Sequence, residues 1–154
     1  MHRLRPGAEV TDVWISVDPG EHVGVALWYG EVGAWASEMS PPEFVDWLWD
    51  EPGADLVVYE SFRLRGGAMA LAQTGSTFPA VEVIGVIRHL CRRREVRLAS
   101  VEPSQRSSAL TRVKACGFPL PRGSAHARDA VAVGVAHRRW TVADMKRLTP
   151  LTTW

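Results

Sequence analysis

Asp18, Glu60 and Asp129 are carboxylates set in apolar surroundings. Asp18 closes V-W-I-S-V-D, Glu60 closes D-L-V-V-Y-E, and Asp129 follows His126 by three residues in S-A-H-A-R-D-A-V-A-V-G-V-A-H. A carboxylate in an apolar setting is costly unless its charge is compensated. Three of them, from separated parts of a 154-residue chain, point to a shared divalent cation. Mg2+ takes oxygen ligands, and two-metal sites with ions about 3.5–4 Å apart clamp the attacking and leaving oxygens of a phosphodiester. In that scheme Asp18 bridges both ions, Glu60 holds one, and Asp129 with His126 holds the other. One ion lowers the pKa of a bound water and the other stabilises the leaving oxygen, with no covalent enzyme intermediate.

Each residue alone has an ordinary explanation. An Asp before Pro-Gly is often a turn residue, and acids commonly close strands. An Asp in a first helical turn complements the helix dipole, and a single His is more often a surface or core residue than a ligand. Their joint occurrence, in this order and context, favours the metal site.

The elements that must position these groups follow from the hydrophobic pattern. Residues 13–18 read as a buried strand, 23–28 as its return after a turn flanked by Gly20 and Gly24, and 33–39 as a third strand of a meander. Ser40 before Pro41 and Pro42 starts a helix over 42–50. Residues 55–60 form a continuous apolar strand, expected parallel to the first. Residues 61–78 read as a mobile loop with a short helix near 67–73. Helices are expected over 79–94, 103–116 and 125–140, with a strand over 96–101. His126 and Asp129, three apart, share a helical face, which Val133, Ala136 and Trp140 continue towards the sheet. The organisation is an extension over 1–12, one domain over 13–140, and a tail of unassigned structure over 141–154. The fold class is α/β: a mixed five-stranded sheet, opening βββαβ, with helices on both faces.

The charge is lopsided although the net is only +1. Residues 1–62 hold two basic residues against twelve acids, and residues 63–154 hold sixteen basic residues against five acids. Such asymmetry suggests a polyanionic partner. Arg outnumbers Lys sixteen to two, supplying forked donors suited to phosphates. The acids would hold metal and the arginines nucleic acid. No apolar run approaches the roughly 20 residues of a membrane span, and the N-terminal stretch lacks a signal peptide's apolar core. Cys91 and Cys116 have no metal-ligand spacing and are expected reduced, so a cytoplasmic location is expected.

D-P-G-x-x-x-G over 18–24, a Glu ending the fourth strand and H-x-x-D-A over 126–130, in that order, resemble the acidic pattern of RuvC-type Holliday junction resolvases, within the RNase H-like superfamily. T-F-P-A-V-E-V-I-G-V-I-R (77–88), V-E-P-S-Q-R (101–106) and G-S-A-H-A-R-D-A (123–130) extend the resemblance towards the divergent RuvC-like resolvases of actinobacterial bacteriophages, over about residues 13–140. The resemblance implies an RNase H-like fold and a homodimer that resolves four-way or related branched DNA. It implies two Mg2+ ions per site, with Mn2+ able to substitute, and cleavage leaving 5'-phosphate and 3'-hydroxyl ends. No nucleotide cofactor or membrane partner is implied. Asp18, Glu60, His126 and Asp129 match the catalytic and metal positions. His126 stands where bacterial members often carry an acid, which tilts the preference towards Mn2+.

Phe62 lies near where the family inserts an aromatic at the junction, and a core role fits it equally. Arg63 and Arg65, beside Gly66 and Gly67, suit a loop at the DNA backbone. Arg106, Arg112, Lys114, Arg122 and Arg128 flank the last acidic motif and are candidate phosphate contacts. Arg92, Arg93 and Arg94 complement a helix dipole, and Glu82 falls outside the metal site. Other readings are an RNase H-like nuclease for flaps or forks, and a non-catalytic branched-DNA-binding module. An actin-like phosphate-binding domain is disfavoured, because the chain has neither a second such domain nor a second Gly-rich loop.

Overall fold

The computed structural model describes residues 12–50, 53–62, 78–118, 120 and 122–148. Strands β1 (Val13–Asp18), β2 (Val23–Tyr29), β3 (Val32–Met39), β4 (Leu56–Glu60) and β5 (Arg97–Val101) form one sheet in the order β3-β2-β1-β4-β5. β1, β2 and β3 are a meander of antiparallel strands, whereas β1, β4 and β5 run parallel. The helices are α1 (Pro41–Asp50), α2 (Pro79–Arg93), α3 (Pro103–Cys116), α4 (Ala125–Arg138) and α5 (Val142–Leu148). The expected mixed five-stranded sheet flanked by helices is the fold observed. The short helix expected near 67–73 lies outside the described residues.

Strand alternation divides the core. Trp14, Ala26, Trp28, Leu56, Val58 and Val101 face α3, α4 and α5, while Ile15, Val17, Val25 and Val57 face α1 and α2. Both faces of β1 are therefore apolar, as a central strand requires. Each fully buried aliphatic side chain contributes roughly 1.5–3 kcal/mol.

Three rungs seat α4 on the first face. At one end Gly24 lies against the His126 backbone with no room for a side chain. In the middle, the Ser16 hydroxyl donates to the Ala130 carbonyl at 2.6 Å and accepts from Trp28 Nε1 at 2.9 Å. At the far end the Trp28 indole fills the space over Gly134, 2.7 Å from where a Cβ would sit. Residues 126, 130 and 134 are four apart on the helix, and residues 24, 26 (opposite Ser16) and 28 are two apart on β2. Four helical residues advance ~6.0 Å and two strand residues ~6.7 Å, so the rungs stay in step.

α4 ends at Arg138 rather than at Trp140, because Arg139 takes a left-handed conformation with φ 55°. That turn directs Trp140 back into the core, edge-on to Trp28 at 5.6 Å. Trp14 stacks on Trp28 at 4.9 Å. Beyond it, α5 seats Met145 and Leu148 in the same cluster. Its start is a reciprocal cap, Thr141 N–H to Asp144 Oδ2 at 2.8 Å and Asp144 N–H to Thr141 Oγ1 at 3.2 Å. Cys91 and Cys116 are both free thiols. Among the described residues no helix is long and apolar enough to cross a membrane.

Candidate active site

Parity and register place the first two acids. Side chains alternate along a strand, so Asp18 follows Trp14 and Ser16 onto the face covered by α4. Glu60 likewise follows Leu56 and Val58. Val17 pairs with Tyr59 across the parallel ladder, and one further step sets Asp18 beside Glu60.

α4 supplies the other two groups from its first turns. Ser124 caps this helix, its hydroxyl accepting from the Ala127 N–H at 3.1 Å. Gly24 pairs with Asp18 on the neighbouring strand, so the close approach of Gly24 and His126 brings the start of α4 to the acids. His126 Nδ1 then lies 3.1 Å from Asp18 Oδ2. With the proton on Nδ1, the other ring nitrogen carries a lone pair available to a cation.

A fifth group enters from α3. Arg106 Nε donates to Glu60 Oε2 at 2.8 Å, and its Nη1 lies 3.5 Å from Asp129 Oδ1. One guanidinium thus bridges acids carried by β4 and α4. Its backbone is fixed by the preceding cap, in which Glu102 and Gln105 satisfy each other's backbone N–H groups. Arg106 was expected at the DNA, and the structure puts it among the carboxylates.

Burial pushes Asp18 up to about 6; the hydrogen bond from His126 opposes this, and the charges of Asp129 and Glu60 add to it. The donor chemistry, three carboxylates and an imidazole, fits a divalent cation, and a cation would relieve the repulsion at Asp18. In the present arrangement, however, no group of three or more His, Cys, Asp or Glu side chains among the described residues converges to hold a metal ion. Glu60 and Asp129 are turned to Arg106 instead.

A supporting layer lies behind His126. His22 stacks on the His126 ring at 5.6 Å, and its Nδ1 is 3.2 Å from Glu38 Oε1. Glu38 Oε2 accepts from the Ser124 hydroxyl at 2.6 Å. Glu38 therefore ties both the ring neighbour and the cap of α4 to β3. Sequence reading did not find His22 or Glu38. No local pattern marks them, because they meet only once β2, β3 and α4 are assembled.

The remaining candidates are spread around this centre. Phe62 is exposed just beyond Glu60, its ring 5.6 Å from that of Phe78. Arg112 is held by the Trp140 carbonyl at 3.3 Å and the Ser108 hydroxyl at 2.9 Å. Lys114 is exposed on α3 and Arg122 in the loop before α4, while Arg128 is half-buried on α4. Arg63 and Arg65 lie outside the described residues. Glu82 is exposed on α2, apart from the acids. Arg94 caps the end of α2, over the Trp49 ring at 4.8 Å.

No family model and no curated protein matches this sequence. Solved structures do match. The chain is similar to "T. thermophilus RuvC in complex with Holliday junction substrate", with 14% identity, a TM-score of 0.57, and coverage of 82% of this chain and 92% of that one. It is also similar to "Thermus thermophilus RuvC structure", with 16% identity, a TM-score of 0.55, and coverage of 82% and 93%. The fold of this chain is thus RuvC-like, an RNase H-like α/β sheet.

Proposed function

We propose that this chain is a metal-dependent, structure-selective DNA endonuclease that resolves four-way junctions or related branched DNA. The observation that carries the reading is the gathering of Asp18, Glu60, His126 and Asp129 from three elements at one end of the sheet. The RuvC-like fold supports it, since one matching structure is a RuvC bound to a Holliday junction substrate.

Asp18, Glu60, Asp129 and His126 would hold Mg2+ or Mn2+. When bound, the metal supplies Lewis-acid stabilisation of the phosphodiester and a water of lowered pKa. The chain's own residues do the rest. Asp18 and Glu60, fixed by sheet register, define where the scissile phosphate must come. His126, held by Asp18 and His22, sets the opposite wall. Phe62 is exposed for stacking on an unpaired base. Lys114, Arg122 and Arg128 offer phosphate contacts, whose affinity falls with salt. Hydrolysis leaves 5'-phosphate and 3'-hydroxyl ends, and a homodimer would set two such sites on opposite strands.

The test is cleavage of junction, flap, fork and duplex substrates with Mg2+ and with Mn2+. Paired symmetric nicks in the junction, lost in Asp18→Asn while binding persists, are expected. Metal-dependent cleavage by Asp18→Asn would overturn the assignment. Preferential cutting of flaps or forks would redirect it to those substrates. The ion pairing of Arg106 with two of the acids favours one second reading, a branched-DNA-binding module without catalysis. Junction binding with no cleavage in either metal would select it.

A further inference from the structure

We infer that Arg106 is an exchangeable counter-ion: it neutralises Glu60 and Asp129 in the metal-free protein and yields them to a divalent cation, its guanidinium then turning to a DNA phosphate. The inference rests on the metal-site reading above and adds a role that the sequence did not suggest.

The geometry makes Arg106 and a metal ion competitors. The Arg106 fork takes an oxygen of Glu60 at 2.8 Å and approaches one of Asp129 at 3.5 Å. These carboxylates are the outer pair of the proposed ligand set. While the guanidinium spans them, the donors do not close around an ion. A guanidinium on these oxygens draws on their lone pairs and repels a dication placed beside it, so the two compete for the acids.

The pairing is built to exchange rather than to lock. Its side chains remain partly exposed, 23% for Arg106, 14% for Glu60 and 23% for Asp129. Only the Glu60 contact has hydrogen-bond geometry, and the approach to Asp129, at 3.5 Å, is longer and looser. The backbone beneath Arg106 is rigid, with its N–H on the Glu102 carbonyl at 3.1 Å inside the capped first turn of α3. Exchange therefore needs only side-chain rotation. A guanidinium released there stands at the rim of the site with its donors free, and the planar fork suits a phosphate. Such an exchange would couple metal loading to DNA grip.

The experiment is calorimetric titration of the metal-free full chain with Mn2+, for wild type, Arg106→Gln, Arg106→Lys, Lys146→Gln and Asp18→Asn. Wild type should bind Mn2+, and Asp18→Asn should lose that binding. Arg106→Gln should bind roughly tenfold or more tightly than wild type, since a competitor is gone. Arg106→Lys keeps the charge but loses the fork, and should gain in the same direction by less. Should the Gln variant fail to fold, the Lys variant carries the test. Lys146→Gln removes an equal charge from an exposed position on α5 and should stay within about twofold, which separates exchange from general electrostatics. In a second arm, Ca2+ should tighten four-way-junction binding by wild type more than by Arg106→Gln.

If Arg106→Gln and Arg106→Lys bind Mn2+ no more tightly than wild type, Arg106 is a fixed strut. The inference then falls while the metal site stands. If Lys146→Gln gains as much as Arg106→Gln, exchange is likewise overturned. If wild type shows no Mn2+ binding that Asp18→Asn removes, both the inference and the metal-site reading fall.

Discussion

A Cβ built on Gly24 would lie 1.9 Å from the carbonyl oxygen of His126. The two residues are 102 positions apart in sequence, yet the approach of β2 to α4 at this point sets how near His126 and Asp129 come to Asp18. Glycine is required here by space rather than by φ, as at other points where one backbone crosses another closely.

Gly24→Ala should therefore push α4 off the sheet at its first turn. The obstructing atom is backbone and cannot rotate away. Overpacking of this kind costs typically 1–3 kcal/mol, and the end of α4 that moves is the one carrying the site. Urea denaturation should show a loss of at least about 1 kcal/mol, and junction cleavage should fall with it. A variant as stable and as active as wild type would refute the close-approach argument.

Asp18 should make the metal-free protein pH-sensitive. Burial pushes its pKa up to about 6 from 3.8. The folded state thus penalises the ionised form. The penalty is absent below about 3.8, grows as pH rises towards about 6, and is constant above. Its full size is on the order of 3 kcal/mol. Asp18→Asn removes it, so in chelator the variant should gain stability relative to wild type as pH climbs from 4 to 7. Denaturation curves at both pH values measure the gap. An unchanged gap would show that Asp18 does not titrate abnormally.

Among the described residues, Ser16 is the one buried polar side chain in the core between the sheet and α4. Its hydroxyl serves both Trp28 Nε1 and the Ala130 carbonyl. Ser16→Ala withdraws both bonds without creating a large cavity, and should cost roughly 1–3 kcal/mol. Thermal unfolding followed by Trp fluorescence would report it, because Trp28 is the affected donor. No loss of stability would mean that the hydroxyl is not holding α4.

Glu38 touches His22 and Ser124, so under the proposed function it would act as a positioning residue. Its contacts are solvent-exposed, so Glu38→Gln should change stability by under about 1 kcal/mol. The His126 ring would lose its braced neighbour. Cleavage rate at saturating junction should drop several-fold with little change in junction affinity, and Glu38→Asp should recover part of it. Equal losses of affinity and rate would assign Glu38 to DNA binding instead.

Much of this molecule follows from local pattern. Short apolar runs bounded by turn residues or acids marked β1, β2 and β4, and already put Asp18 and Glu60 at strand ends. Ser124 announced α4, and the three-residue spacing of His126 and Asp129 placed them on one face. α5 had a signal that went unread: Thr141 and Asp144 at capping spacing, followed by Met145 and Leu148.

Other features had no local signal. The charge segregation along the chain suggested acids for metal and arginines for DNA. The fold instead inserts Arg106 among the acids and pairs Arg138 with Asp12. Gly24 read as a turn residue until α4 was laid across it. His22 and Glu38 are polar residues of unremarkable context, and they meet His126 and Ser124 only in the assembled structure. The sequence alone determined which elements form and which chemical groups sit at their ends, because periodicity and capping are set by near neighbours. Only the tertiary structure decided which groups touch, because those contacts depend on sheet register and on how closely α4 and α3 approach it.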